Sequence, residues 1–113
     1  MSINSKIIST INPLVAVCAP GIYSGESKEY CTFNYSELPE LFGDDRPGFI
    51  RYLVQLHWFS PLDSNPLDKK NAIKNALSGA GFTYPSVSDA SDDLSLHFAF
   101  EFEYVEGINE PIV

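Results

Sequence analysis

Apolar side chains recur at every second position along two long segments of the chain. From Phe49 to Phe59 and again from Leu94 to Tyr104, the even positions are apolar or aromatic. Successive side chains of a strand point to opposite faces, so this period of two predicts two long strands, each with one buried face. The outward faces are expected to carry the following polar residues: Arg51, Gln55, His57, His97, Glu101 and Glu103.

Shorter elements are predicted around these strands. Ser2 precedes a stripe of isoleucines at helical spacing, which predicts an N-terminal helix that is capped by this serine and interrupted at Pro13. Runs of aromatic and β-branched residues predict two short strands at Ile22–Ser24 and Glu29–Tyr35, and a third is possible at Phe82–Val87.

A second helix has clear start and stop signals. Asn65 is expected to cap it, with Pro66 at the first helical position. Its inner stripe comprises Ile73, Ala76, Leu77 and Ala80. Gly81 should end the helix in a left-handed conformation, with Phe82 folding back onto Leu77 in a Schellman motif.

The segment Ser36–Gly48 contains two prolines, two glycines and two aspartates, which predict a long loop. Apolar residues in such a loop pack either onto their own core or onto a partner. Because the loop exceeds what joining two strands requires, we expect it to reach another chain. The predicted partner-binding residues are Leu38, Leu41, Phe42, Asp44 and Asp45.

The order of elements predicts an α+β fold, an antiparallel β-sheet with two helices packed on one face in a two-layer sandwich. With 113 residues, of which 44% are hydrophobic and 19% charged, the chain has the size and composition of a single folded domain over residues 1–113. The other face of the sheet is left uncovered, so it should face water or a partner.

The net charge of −8 argues against a surface that binds duplex nucleic acid, because such surfaces need clustered Lys and Arg. Residues 61–113 hold nine acids and three bases, so most of the negative charge lies in this half. Cys18 and Cys31 lack metal-binding spacing; two buried thiols are favoured over a disulfide, which stays open. Without signal-peptide or membrane-span patterns, the chain is expected to act in a cytoplasm.

Two histidines are the main candidates for chemistry. If their strands were adjacent, His57 and His97 could form a metal or acid–base site with Glu101 or Glu103. Without a third ligand at motif spacing, ordinary surface histidines are the favoured interpretation. No nucleophile elbow or phosphate-binding glycine pattern is present. The sequence therefore predicts no enzyme, with no catalytic, cofactor-binding or metal-binding residues.

Several segments resemble, in order and spacing, the tail terminator or tail-completion proteins of long-tailed bacteriophages and prophages. They are the N-terminal helix with Ala19–Tyr23, the run from Tyr23–Gly25 to Tyr30–Tyr35, the strand with Tyr52–Trp58, the helix end Ala80–Phe82 and the strand Leu96–Tyr104. The resemblance implies a ring-forming virion protein that caps the tail tube and joins it to the head connector. The loop at Ser36–Gly48 departs from many relatives.

The resemblance implies the following partners: further copies of the chain in a ring, expected to be a hexamer, the tail tube protein and the head connector or stopper protein. DNA would pass through without specific binding, in a tail assembled in the bacterial cytoplasm and away from membranes. An acidic or neutral channel lets DNA slide, so Glu101 and Glu103 are expected to face it. Two alternatives remain open: a monomeric phage adaptor or inhibitor that binds a host protein, and a small hydrolase or metal protein using His57 and His97.

Overall fold

The structure is a computed structural model that describes residues 2–43 and 46–107. For residues 41–43 and 46–47 it describes the backbone. Its elements are α1 (Ile3–Ile11), β1 (Cys18–Pro20), β2 (Tyr30–Gly43), β3 (Arg46–Ser60), α2 (Leu67–Gly79), β4 (Ser86–Asp89) and β5 (Leu96–Gly107). The five strands form one sheet in the order β1-β2-β3-β5-β4. The predicted α+β fold is confirmed, and the sheet is antiparallel as predicted except at β1, which runs parallel to β2.

Helix α1 begins, and helix α2 ends, where local signals place them. The Ser2 side chain caps α1 by accepting a hydrogen bond from the Ser5 backbone N–H at 3.2 Å. At the end of α2, Gly81 adopts a φ of 95°, and the Phe82 N–H donates to the Leu77 carbonyl at 3.2 Å. These bonds are those of a Schellman motif, as predicted. The predicted start of α2 is one residue too early. Pro66 rather than Asn65 is the N-cap, and the Asn65 side chain accepts a hydrogen bond from the Leu67 N–H at 3.2 Å.

The core lies between the two helices and one face of the sheet. Its fully buried large side chains are Trp58, Phe33, Phe100, Ile7, Ile11, Leu56, Ile73 and Leu77. The even positions of β3 and β5 from Tyr52 to Phe102 are buried or partly buried, which confirms the predicted strand faces. Leu94 is an exception, because β5 begins at Leu96 and leaves Leu94 83% exposed.

The prediction of a strand at Ile22–Ser24 is wrong. The first strand is Cys18–Pro20, and Ile22 is 90% exposed. The backbone bonds that decide this connect the Cys31 N–H with the Val17 carbonyl, and the Gly21 N–H with the Phe33 carbonyl, both at 2.8 Å. Pairing with β2 therefore favours Cys18–Pro20 over the more β-prone residues that follow.

The prediction of a loop at Ser36–Gly48 is also wrong. β2 continues to Gly43 and β3 starts at Arg46, in one antiparallel register that runs from the pair Ser36–Leu53 to the pair Gly43–Arg46. Of the predicted partner-binding residues, Leu38 and the backbones of Leu41 and Phe42 lie in β2, whereas Asp44 and Asp45 lie outside the described residues.

Pro39 is compatible with this strand because of the direction in which its nitrogen points. Backbone groups alternate between the two sides of a strand, and the Cys31 N–H, at an odd position, points to the β1 side. Pro39 shares that parity. β1 pairs with residues 31–33, and no other strand in the part of the chain that the structure describes lies on this side of β2, so no N–H is needed at Pro39.

The hairpin extends past the part of the sheet that the helices cover. Helix α1 reaches the sheet at Tyr35, whose hydroxyl donates to the Asn4 Oδ1 at 2.6 Å. Beyond this point Glu37 and Pro39 on the helix side of the sheet are exposed, and so are Leu38 and Phe49 on the opposite side. We call residues 36–43 and 46–51 the arm. It contributes to the elongated shape of the chain, which measures 55 × 25 × 22 Å.

Candidate functional site

The sheet face opposite the helices is the candidate site, and we call it the outer face. It is formed by the even positions of β2 and the odd positions of β3 and β5, as the strand register requires. Register partners on β2, β3 and β5 form rows of three residues across this face. From the end farthest from the arm toward the arm, the rows are Tyr30–Phe59–His97, Thr32–His57–Ala99, Asn34–Gln55–Glu101, Ser36–Leu53–Glu103 and Leu38–Arg51–Val105.

An ion-pair network ties the three strands together at the arm end of this face. Arg51 on the central strand donates from Nε to Glu40 Oε1 at 2.7 Å and from Nη1 to Glu103 Oε1 at 2.8 Å. The hydrogen bonds from Arg51 lower the pKa of the Glu40 carboxyl below its usual value. The guanidinium is thus held between two carboxylates that lie diagonally across it on β2 and β5.

Four exposed apolar side chains surround Arg51. Leu38 and Val105 are its register partners on either side, and Phe49 and Leu53 are its neighbours along β3. Each of the four remains about 40% exposed, at 42%, 42%, 38% and 41% respectively. Contiguous exposed apolar groups on a soluble domain are typical of interaction sites. We call these four residues together with Arg51 the Arg51 patch.

The other half of the outer face carries a hydrogen-bonded chain of side chains. His57 Nδ1 lies 2.8 Å from His97 Nε2, and His57 Nε2 lies 2.9 Å from Gln55 Oε1. Gln55 then donates from Nε2 to Glu101 Oε1 at 3.2 Å. Since the Gln55 oxygen only accepts, the neutral His57 carries its proton on Nε2, and His97 donates from Nε2 to His57 Nδ1.

Both imidazoles favour the neutral form. Partial burial, and secondarily the other imidazole, lowers the pKa of His57 below its ordinary value of 6.5. Burial also lowers the pKa of His97, against the opposing effect of Asp92 and Asp89. Phe59 stacks on the His97 ring with centroids 4.2 Å apart, which accounts for part of this burial.

Glu101 and Glu103 lie on the outer face, where the alternation of β5 places them. Together with Gln55 and the loop residue Tyr84, they line an open depression of about 550 Å³. Glu103 is paired with Arg51 and Glu101 accepts from Gln55, so both carboxylates are already held by partners of this chain. The depression offers polar contacts rather than an enclosed cavity for a cofactor.

Sequence reasoning did not single out most of the Arg51 patch. Leu53 and Val105 are apolar residues at outward positions of strands whose other outward residues are largely polar. That departure from alternation was the available signal. The arrangement around Arg51 depends on the register of three strands, which no single segment of the sequence contains.

The described residues include no set of three or more metal-ligating side chains. Within residues 2–43 and 46–107, no group of three or more His, Cys, Asp or Glu is placed to hold a metal ion. Cys18 and Cys31 are register partners on β1 and β2, and both are free thiols. Burial raises the pKa of Cys18 to about 12 and that of Cys31 further, so both thiols are protonated and unreactive at neutral pH.

In the part of the chain that the structure describes, neither helix combines the length and apolar character needed to cross a bilayer. Comparison with known proteins adds no relative: no protein-family model matches the chain, and no curated protein matches it either. Function has therefore to be inferred from the outer face, the arm and the resemblance in residue pattern.

Proposed function

We propose that this chain is a structural subunit of a long phage tail, which assembles with further copies into a ring, caps the tail tube and joins it to the head connector. The observation that carries this proposal is the arm, a hairpin with accessible side chains on both faces. A domain that folds around a core elsewhere has no need of such a projection for its own stability. An assembly subunit does need one, because the arm can reach a neighbouring molecule.

The arm offers the kind of surface that a neighbour can bury. From Glu37 to Gly43, β2 extends the sheet by roughly 20 Å at about 3.4 Å per residue. Leu38 and Phe49 lie on its outer face, and Ile50 is only partly buried on the opposite face. A few large side chains that fill well-packed pockets of a neighbour commonly contribute most of the binding energy of an interface. The Arg51 patch continues this surface toward the body of the sheet.

The charge distribution is compatible with DNA passing nearby without binding. Five of the seven basic side chains are engaged within the chain. Arg51 and Lys69 pair with glutamates, and Lys6, Lys70 and Lys74 lie over aromatic rings at 5.1 to 5.8 Å from the ring centroids. With 15 acidic and 7 basic side chains the charge of the chain is mostly negative, and an acidic surface does not retain a polyanion. A channel-facing position of Glu101 and Glu103 remains part of this proposal.

The test replaces Leu38 and Phe49 by Ser and follows both stability and assembly. We expect the melting temperature of the isolated subunit to change little, because both side chains are already exposed. Ring formation, measured by light scattering and electron microscopy, and incorporation into tails should be lost. Leu94→Ser is the matched control, because Leu94 is more exposed and lies outside the arm.

Two results would contradict the proposal. Normal incorporation of the Leu38→Ser, Phe49→Ser variant into tails would show that the arm is not an assembly element. A wild-type chain that stays monomeric in the presence of tail tube and connector proteins, yet binds a host protein, would favour the adaptor or inhibitor alternative.

A further inference from the structure

The histidine pair on the outer face is not used by the proposed assembly role. We propose that His57 and His97 form a two-imidazole chelating site for a divalent first-row transition ion, with Cu²⁺ and Ni²⁺ favoured. Imidazole nitrogen is a preferred ligand of these ions, whereas Mg²⁺ and Ca²⁺ prefer oxygen. The remaining coordination positions would be taken by water, since both side chains are partly accessible from the uncovered face.

The separation of the two nitrogens suits an ion that binds its ligands at right angles. His57 Nδ1 and His97 Nε2 are 2.8 Å apart. Two metal–nitrogen bonds of about 2.0–2.1 Å that meet at 90° place their nitrogens about 2.9 Å apart, whereas a tetrahedral angle requires about 3.3 Å. The square-planar or octahedral geometry of Cu²⁺ and Ni²⁺ therefore needs less opening of the pair than that of Zn²⁺. The His97 ring must turn so that its Nε2 lone pair points to the ion, while His57 keeps its bond to Gln55.

The hydrogen bond to Gln55 holds His57 in the tautomer that metal binding through Nδ1 requires. His57 donates a hydrogen bond from its Nε2–H to Gln55 Oε1. The Nδ1 of His57 is therefore unprotonated, and it faces His97. A hydrogen bond of this kind from the second ring nitrogen is the usual way in which proteins orient a metal-binding histidine. Gln55 is itself held by Glu101. In this proposal Gln55 is a positioning residue rather than a ligand.

Binding requires one proton to change place on the other ring. His97 loses the Nε2 proton that it donates to His57 and takes up a proton on its own Nδ1. His97 therefore stays neutral, and its Nε2 lone pair becomes available to the ion. Asp89 and Asp92 are the charged groups that act on the His97 ring, and their negative charge opposes the lowering of its pKa by burial. From β2, the neighbour of His57 is the uncharged Thr32. No net proton is released from the neutral pair.

The experiment titrates the purified chain with Ni²⁺ alone at a pH of about 7.5, by calorimetry and by NMR. We expect one ion per chain and paramagnetic broadening centred on His57, His97 and the backbone of Ala99. His57→Gln and His97→Gln should each weaken binding by more than about tenfold, and Gln55→Leu by roughly tenfold. Glu103→Gln is the control, because it removes a carboxylate of the same face that bonds Arg51 rather than Gln55, and we expect it to leave the affinity within about twofold.

The wild-type chain also provides a test that needs no variant. Affinity should fall as the pH is lowered from about 7.5 to about 5.5, because protons compete for the two imidazoles. Broadening elsewhere in the chain, equal affinity in wild type and the His57→Gln variant, or no binding of one Ni²⁺ per chain would each overturn the proposal. None of these results bears on ring assembly, so the two proposals fail independently.

Discussion

Replacing Phe100 by Ala tests which face of the sheet holds the core. Phe100 is fully buried on β5, between its register partners Leu56 and Val87. Removing a buried Phe side chain costs about 3–5 kcal/mol in the free energy of unfolding, from lost transfer energy and the cavity left behind. The adjacent Glu101 points the other way and accepts one hydrogen bond from Gln55. Glu101→Ala should therefore cost less than about 0.5 kcal/mol.

Urea and thermal unfolding of the two variants give the comparison. For a chain of 113 residues, the unfolding entropy is about 0.24 kcal/mol/K, so each kcal/mol lowers the melting temperature by about 4 °C. Phe100→Ala should lose about 12–20 °C and Glu101→Ala about 2 °C or less. Phe100→Leu, which keeps most of the volume, should cost about 1 kcal/mol. Both Ala variants change the same strand, so equal losses would refute the assignment of its faces.

Three further predictions concern local features. The free energy of unfolding should fall as the pH drops from about 6.5 toward 5. The folded state lowers the pKa of His57 and of His97, so the unfolded chain binds more protons in this range. Measured by urea unfolding, this fall should be smaller in the His97→Gln variant than in the wild type. Gly81→Ala should destabilise the protein by about 1 kcal/mol, because Gly81 has a φ of 95°. Gly79→Ala should stabilise it by about 0.5 kcal/mol, because Gly79 is helical and has open space for a Cβ. Thermal melts that rank the two variants the other way would contradict the assignment of Gly81 to the end of α2. Tyr35→Phe, which removes the hydroxyl bonded to helix α1, should cost about 1 kcal/mol in urea unfolding, and no loss would show that this bond does not hold the helix.

Much of the candidate site could be predicted as a set of residues but not as an arrangement. Alternation placed His57, His97, Glu101 and Glu103 outward, and the structure has all four on the outer face. It could not tell that β3 and β5 are neighbours, and the approach of the two histidines to 2.8 Å depends on that pairing. Adjacency of strands is set by the whole topology, whereas alternation is a property of each strand alone.

The arm is the clearest case in which local signals mislead. Pro39 and the glycines of its segment disfavour a strand in general, and from the sequence alone they predict a loop. Whether a proline fits depends on which side of the strand its nitrogen lies and on whether a neighbour is present there. That is decided by the length of β1, which stops opposite Phe33, so that among the described strands none lies beside β2 at Pro39.

The sequence by itself determined the features that rest on neighbours in the chain: the Ser2 cap, the Schellman end of α2 at Gly81, and the buried and outward faces of β3 and β5. Tertiary structure alone decided the position of β1, the extension of the hairpin into the arm, and the pairing of Arg51 with glutamates on two other strands. Caps and side-chain periodicity arise from bonds within a few residues. Strand order, open edges and cross-strand contacts arise only when distant segments pack together.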